Sequence, residues 1–132
     1  MRTLYSLRVD RDVRSMQEAS TSSGPVGLRQ THGLVASAEW WINIERSKLE
    51  LQTVVGKVAR FWPGHHGDWP EFELVDPSGT HSKWGCMVPS AEAEQAFRPG
   101  CSVAVDFVRQ ELKSALNGSH ETKLVVAIRV AA

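Results

Sequence analysis

The feature that most constrains the fold is a series of short β-type segments between Leu49 and Val130, interrupted once by a helical patch. Within these segments β-branched and aromatic residues alternate with polar ones, and turn residues separate one segment from the next. Pro89 and Ser90 precede an alanine- and glutamate-rich run that ends at Phe97, which predicts a short capped helix. The five predicted strands cover residues 49–62, 71–76, 82–88, 101–112 and 123–130. We therefore expect an all-β protein with small helical content.

The first predicted strand is the longest and contains Gly56, where a bend or bulge would let the strand curl. The run from Pro77 to Thr80 supplies turn chemistry for a hairpin between the second and third strands. An antiparallel meander of three strands is expected from this order.

Residues 33–44, GLVASAEWWINI, are rich in β-branched and aromatic side chains and predict an extra strand ahead of the five. Trp40 and Trp41 are adjacent, so in an extended chain their rings point to opposite faces. One ring is expected in the core. The other is expected at a surface, where a protein partner or a second copy of the chain can dock.

The first 31 residues hold five arginines against three acids and include the low-complexity run Ala19–Pro25. Such a composition buries too little apolar surface to offset the entropy of ordering. We predict a flexible arm over 1–31, followed by one domain over 32–132. Two alternatives are an arm that folds onto a partner or an anionic ligand, and a short strand around Leu4, Leu7 and Val9.

Three local features accompany this order of elements. They are a strand with an internal glycine, Val54–Val58; the hairpin Phe72–Gly79; and Arg98-Pro99-Gly100 ahead of Val103–Val105. Together they resemble the oligonucleotide/oligosaccharide-binding (OB) superfamily and its single-strand nucleic-acid-binding modules. The resemblance covers about residues 49–131 and implies a five-stranded antiparallel barrel with a short helix between strands 3 and 4. An SH3-like barrel is the nearest alternative, and the helical patch favours OB.

Charge and hydropathy narrow the classes of function. The 15 basic and 15 acidic side chains of the 132 residues cancel, which argues against a nonspecific DNA coat protein but not against a local basic groove. No apolar run approaches the roughly 20 residues that span a bilayer, and a charged N-terminus does not fit a signal peptide. We expect a cytoplasmic protein without a membrane partner, with Cys86 and Cys101 as buried thiols.

Binding of single-stranded nucleic acid needs aromatic rings that stack on bases and cations that follow phosphates. The candidate residues for both roles are Lys57, Arg60, Phe61, Trp62, Trp69, Lys83 and Trp84. Strand alternation puts Lys57 and Phe61 on one face and Arg60 and Trp62 on the other, unless a bulge shifts the phase. The ring of Trp84, in a strand, is expected in the core more than at a binding surface. The sequence favours a non-catalytic module that binds single-stranded DNA or RNA.

Residues 63–80 carry four acids and no lysine or arginine, which would repel phosphates from that side. This charge pattern favours the alternative, a protein-interaction or oligomerisation module that docks through exposed aromatic rings, an open strand edge and the Trp40/Trp41 segment.

The sequence gives little support for a metal site or for a catalytic site. His65, His66, Asp68 and His81 are suitable metal ligands, but they lack the spacing of a zinc site. Glu71 and Glu73 share a strand face, as paired glycosidase carboxylates do, without a visible supporting shell. No nucleophile elbow or phosphate-binding glycine loop is present. We expect no metal, no cofactor and no enzymatic activity.

Overall fold

The computed structural model describes residues 1–64, 69–116 and 119–131. The elements, in chain order, are β1 (Arg2–Ser6), α1 (Val13–Thr21), α2 (Ala38–Glu45), β2 (Gln52–Trp62), β3 (Glu71–Val75), β4 (His81–Gly85), α3 (Ser90–Ala96), β5 (Ser102–Leu116) and β6 (Ser119–Val130). A 3-10 turn, Leu7–Val9, follows β1. The predicted all-β class with small helical content is confirmed. The predicted helix over 90–97 is also confirmed, as α3 between the meander and β5.

The strands form one antiparallel six-stranded sheet in the order β1-β6-β5-β2-β3-β4. The sheet is not closed, so the predicted five-stranded OB-like barrel is corrected to an open sheet. The reason is an extra N-terminal strand, which exists as β1 rather than over 33–44. Because Tyr5 pairs with Ile128, β1 occupies the side of β6 that a closed barrel would need for its last pairing.

The chain divides into two compact units. Unit 1 comprises Met1–Ser6, Thr53–Asp106 and Ala127–Ala132, and unit 2 comprises Leu7–Gln52 and Phe107–Val126. Neither unit holds a helix that is both long and apolar enough to cross a membrane, as far as the described ranges extend.

Aromatic packing against α3 forms the core of unit 1. The Phe72 and Phe97 rings are fully buried and stack with their centroids 4.1 Å apart. Val103, Val105 and Ile128 are buried as well. Apolar alternation along β3 and β5 therefore produces the buried face that the sequence predicts.

A tight turn joins β3 to β4, as the sequence predicts. The Asp76 carboxylate accepts hydrogen bonds from the Ser78 hydroxyl at 2.6 Å and from the Thr80 backbone N–H at 2.9 Å. These bonds, the hydroxyl first, lower the pKa of the Asp76 carboxyl. Gly79 has φ +86°, a conformation that side chains with a Cβ rarely adopt. The turn fixes the register of the hairpin.

The core of unit 2 is built around the Trp40 side chain, which is 0% exposed. Its indole Nε1 donates a hydrogen bond to Gln110 Oε1 at 3.2 Å. Gln110 Nε2 in turn donates to the Arg29 carbonyl at 2.9 Å. The surrounding buried residues are Leu7, Leu28, Val35, Leu49, Val108 and Val126. The buried polar groups of this core are therefore paired, as burial requires.

Residues 38–45 form the helix α2, so the strand predicted over 33–44 is wrong for this segment. Ser37 caps the helix, because its Oγ accepts a hydrogen bond from the Trp40 N–H at 3.3 Å. Trp40 and Trp41 do not point to opposite faces of a strand, because their rings meet edge to face with centroids 4.8 Å apart. The Arg8 guanidinium lies 3.9 Å from the Trp41 ring centroid. The prediction that a partner docks on a strand carrying Trp40 and Trp41 is therefore wrong, because both residues lie in α2.

Residues 1–31 contain β1 and α1 where the sequence predicts a flexible arm. The ammonium of Lys113 donates to the Ala19 carbonyl in the last turn of α1 at 2.6 Å and to the Ser22 carbonyl just beyond the helix at 2.8 Å. The Arg29 N–H donates to the Glu111 carbonyl at 2.9 Å. Hydrogen bonds to residues that are distant in the sequence thus stabilise a segment whose composition alone predicts disorder.

Candidate functional site

The exposed side of the β2–β3–β4 meander is a regular array of side chains, here called the outer face. Residues that pair directly across antiparallel strands project to the same side of the sheet. The pairing gives three rows, which are Lys57, Val75 and His81; Arg60, Glu73 and Lys83; and Trp62, Glu71 and Gly85.

A bulge in β2 brings the predicted cations and a ring onto this one face. The register shifts between Val58 and Arg60, so Lys57 and Arg60, three positions apart, both face outward. The sequence allowed for a bulge near Gly56, whereas the shift lies after Val58. Gly56 has a different role, since a Cβ there would lie 2.5 Å from the Val75 carbonyl oxygen. The glycine permits close approach of β3.

An ion pair and a hydrogen bond join the strands of the outer face. Lys83 Nζ lies 3.3 Å from Glu71 Oε2 and 5.0 Å from the centroid of the Trp62 ring. His81 Nδ1 lies 3.2 Å from Glu73 Oε1. Exposed pairs of this kind contribute about 0–1 kcal/mol each to stability, so their main effect is to orient the side chains.

Lys57 and Arg60 are the exposed cations of the outer face without an ion pair in the part of the chain that the structure describes. Arg60 pairs with Glu73 in the strand register, yet Glu73 is engaged by His81. Lysine and arginine side chains outnumber carboxylates on the outer face by three to two, so its net charge is positive even with a neutral His81.

Two further apolar side chains lie just beyond the row of Trp62. The Cys86 N–H donates to the Pro70 carbonyl at 2.9 Å, which places Trp69 and Met87 next in register. Trp69 is 47% exposed and Met87 is 40% exposed. The candidate ligands His65, His66 and Asp68 lie outside the described residues. Across the described ranges, no three His, Cys, Asp or Glu side chains are grouped so as to hold a metal.

The remaining predicted site residues face inward. The Trp84 side chain is only 4% exposed, and its indole Nε1 donates to Ser82 Oγ at 2.8 Å. Phe61 is half-buried, with its ring centroid 6.4 Å from that of Phe97. The prediction that a ligand stacks on Trp84 is wrong, because the Trp84 ring belongs to the core. Lys57, Arg60, Trp62 and Lys83 share the outer face, and Phe61 and Trp84 do not.

Sequence reasoning missed an open cleft of about 500 Å³ between β2 and α3. Phe61 and Phe97 form its apolar part, and Glu94 and Arg98 are charged residues of its lining. The sequence signal for this cleft is weak, because the helix that forms one wall is recognisable only as an alanine- and glutamate-rich run.

Cys86 is a buried thiol, as the sequence predicts, and Cys101 is half-buried. Burial raises the pKa of the Cys86 thiol from 9.0 to about 12. The thiol is therefore neutral near pH 7 and a poor nucleophile.

We expect Cys86 to make stability fall at alkaline pH. A raised pKa in the folded state favours folding below the pKa of the unfolded thiol, and this contribution is lost as the pH rises from about 9 to about 12. Urea unfolding of wild type and Cys86→Ala, measured at pH values on both sides of 9, should show the difference in stability changing in favour of the variant. A difference that does not depend on pH would contradict the assignment.

Comparison with known proteins gives a match to a protein family, and it covers nearly the whole chain. A protein-family model described as immunity protein RhsI2 matches residues 1–131. A search of curated proteins finds no match. The match overturns the assignment to the OB superfamily and the prediction of single-stranded nucleic-acid binding, because this is a family of toxin-immunity proteins. It supports the alternative function, interaction with a protein.

Proposed function

The chain belongs to the RhsI2 immunity protein family, and we propose that it protects by binding a toxin protein and blocking its action. The observation that carries this proposal is the family match over residues 1–131. In this proposal the toxin is neutralised by occupation of its surface. The chain carries out no reaction, and its compartment is the cytoplasm.

The outer face suits such a role. A protein surface presents both signs of charge together with apolar groups, and the outer face combines paired carboxylates, open cations and the exposed ring of Trp62. Aromatic and arginine side chains are the residue types that most often dominate protein–protein binding energy.

Co-expression with the family's cognate toxin tests the proposal. We expect cells that produce the toxin to grow when this chain is produced with it, and the two proteins to purify as one complex. Mass spectrometry of toxin released from that complex should give an unmodified, intact chain. Protection without a complex, or a cleaved or modified toxin, would instead point to an enzymatic mechanism. An unrelated protein of similar size is the control for expression load.

A further inference from the structure

We infer that the outer face of β2, β3 and β4 is the toxin-binding surface, and that the toxin region it accepts presents carboxylates around an apolar contact. This inference rests on the proposed function and adds the place and the chemistry of binding. Three features of the outer face and its margins support it.

The first feature is an aromatic side chain that is held in place before binding. Trp62 is 37% exposed, and the ammonium of Lys83 lies 5.0 Å from its ring centroid. Glu71 holds that ammonium at 3.3 Å. A ring whose orientation is already fixed loses little conformational entropy when a partner covers it, so more of the contact energy appears as affinity.

The second feature is the sign of the open charge. Lys83 forms an ion pair with Glu71, whereas Lys57 and Arg60 have no ion pair among the described residues. The carboxylate of Glu73 contacts only a histidine within the described ranges, so the two open cations outnumber this one carboxylate. A partner that covers this face removes water from both cations, which is costly unless it supplies opposite charges. Arg60 in particular can hold a carboxylate with two parallel hydrogen bonds. The complementary surface is therefore acidic.

The third feature is the apolar margin and the open strand edge. Trp69 and Met87 lie past the Trp62 row, and Val55, 49% exposed, lies two positions before Lys57 on β2. Among the described strands β4 is paired with β3 alone, at the edge of the sheet. A partner can thus cover apolar groups at both ends of the array and reach unpaired backbone groups along β4.

The same cations do not suit a phosphate backbone. Glu71 and Glu73 lie on the outer face in the rows of Trp62 and Arg60, so a strand of phosphates crossing the face would meet carboxylates as well as cations. A folded protein presents separate carboxylates, amides and apolar groups and can match this mixed pattern.

The experiment measures binding of the purified cognate toxin to immobilised full-length chain by surface plasmon resonance. The variants are Trp62→Ala and Arg60→Glu. The matched control is Arg11→Glu, which makes the same charge change at an exposed arginine of unit 2. Thermal unfolding of each variant verifies that it remains folded, and a single-stranded oligonucleotide serves as a second analyte.

We expect Trp62→Ala to weaken binding by about 30-fold or more, as a buried interface tryptophan does. Arg60→Glu should weaken it by about 10-fold or more, mainly through faster dissociation, because the carboxylate that Arg60 holds would be left buried against a like charge. The charge reversal should also slow association and reduce its dependence on salt. Arg11→Glu should stay within about twofold of wild type, since Arg11 is not among the residues of the outer face. Folded variants that bind as wild type does would overturn the inference and leave the proposed function standing. Failure of wild type to bind the toxin would overturn both, as would binding of the oligonucleotide in its place.

Discussion

Replacing Phe97 with alanine should lower the free energy of unfolding by about 3–5 kcal/mol, the usual cost of deleting a buried phenylalanine ring. The Phe97 ring is fully buried, stacks on Phe72 at 4.1 Å and lies 6.4 Å from Phe61. Its loss removes apolar burial and leaves a cavity between α3 and the meander. Since small domains are stable by about 5–15 kcal/mol, this change removes a large part of the total.

Urea unfolding followed by tryptophan fluorescence measures the Phe97 effect. Gln95→Ala, at an exposed position of α3 two residues before Phe97, is the matched control and should change stability by no more than about 0.5 kcal/mol. A Phe97→Ala loss below about 1 kcal/mol would show that α3 does not cover the core of unit 1.

Replacing Trp40 with alanine should cost about 3–5 kcal/mol as well, because its side chain is 0% exposed at the centre of the unit 2 core. The substitution also removes the donor to Gln110 Oε1. Trp40→Phe keeps most of the apolar volume but leaves that oxygen without its partner, which costs about 1–3 kcal/mol for a buried group. Comparing Trp40→Ala with Trp40→Phe separates the stability contributed by apolar packing from that contributed by the hydrogen bond.

Trp41→Ala is the natural control for Trp40, because the neighbouring ring is only partly buried. Denaturant unfolding should rank the losses as Trp40→Ala first, with Trp41→Ala clearly smaller. Equal losses at the two positions would contradict the burial of one ring and the partial exposure of the other.

Local pattern was sufficient for the meander and for the helix that follows it. Phe72 and Leu74 alternate with acids in β3, and Asp76 and Gly79 provide a turn whose geometry depends on neighbouring residues. Such elements depend on contacts close in sequence, so periodicity and turn chemistry predict them well.

Elements that depend on distant contacts could not be predicted in this way. Residues 38–45 have strand propensity, but burial of Trp40 beside the distant Gln110 favours a helix. The Ser37 cap adds a local contribution to the same helix. β1 forms because the far end of the chain provides the strand that Tyr5 pairs with. Propensity is a weak prior, and tertiary packing outweighed it at both places.

Composition drew attention to cations and aromatic rings as candidate binding residues, but it could not predict how they are arranged. The face shared by Lys57, Arg60 and Trp62 depends on a bulge after Val58 that no local signal located. The pairing of Lys83 with Glu71 depends on cross-strand register. In the sequence, the rings and cations suggest binding of nucleic acid, because the register that places Glu71 and Glu73 beside them is not visible there. The family match instead indicates a protein partner.

The most direct test of a binding role is a calorimetric titration of the purified cognate toxin with the full chain. We predict saturable binding of equimolar stoichiometry, with a dissociation constant below about 1 μM, within the range that specific interfaces of ordinary size reach. Absence of binding at toxin concentrations well above that value, with both proteins folded, would contradict the account.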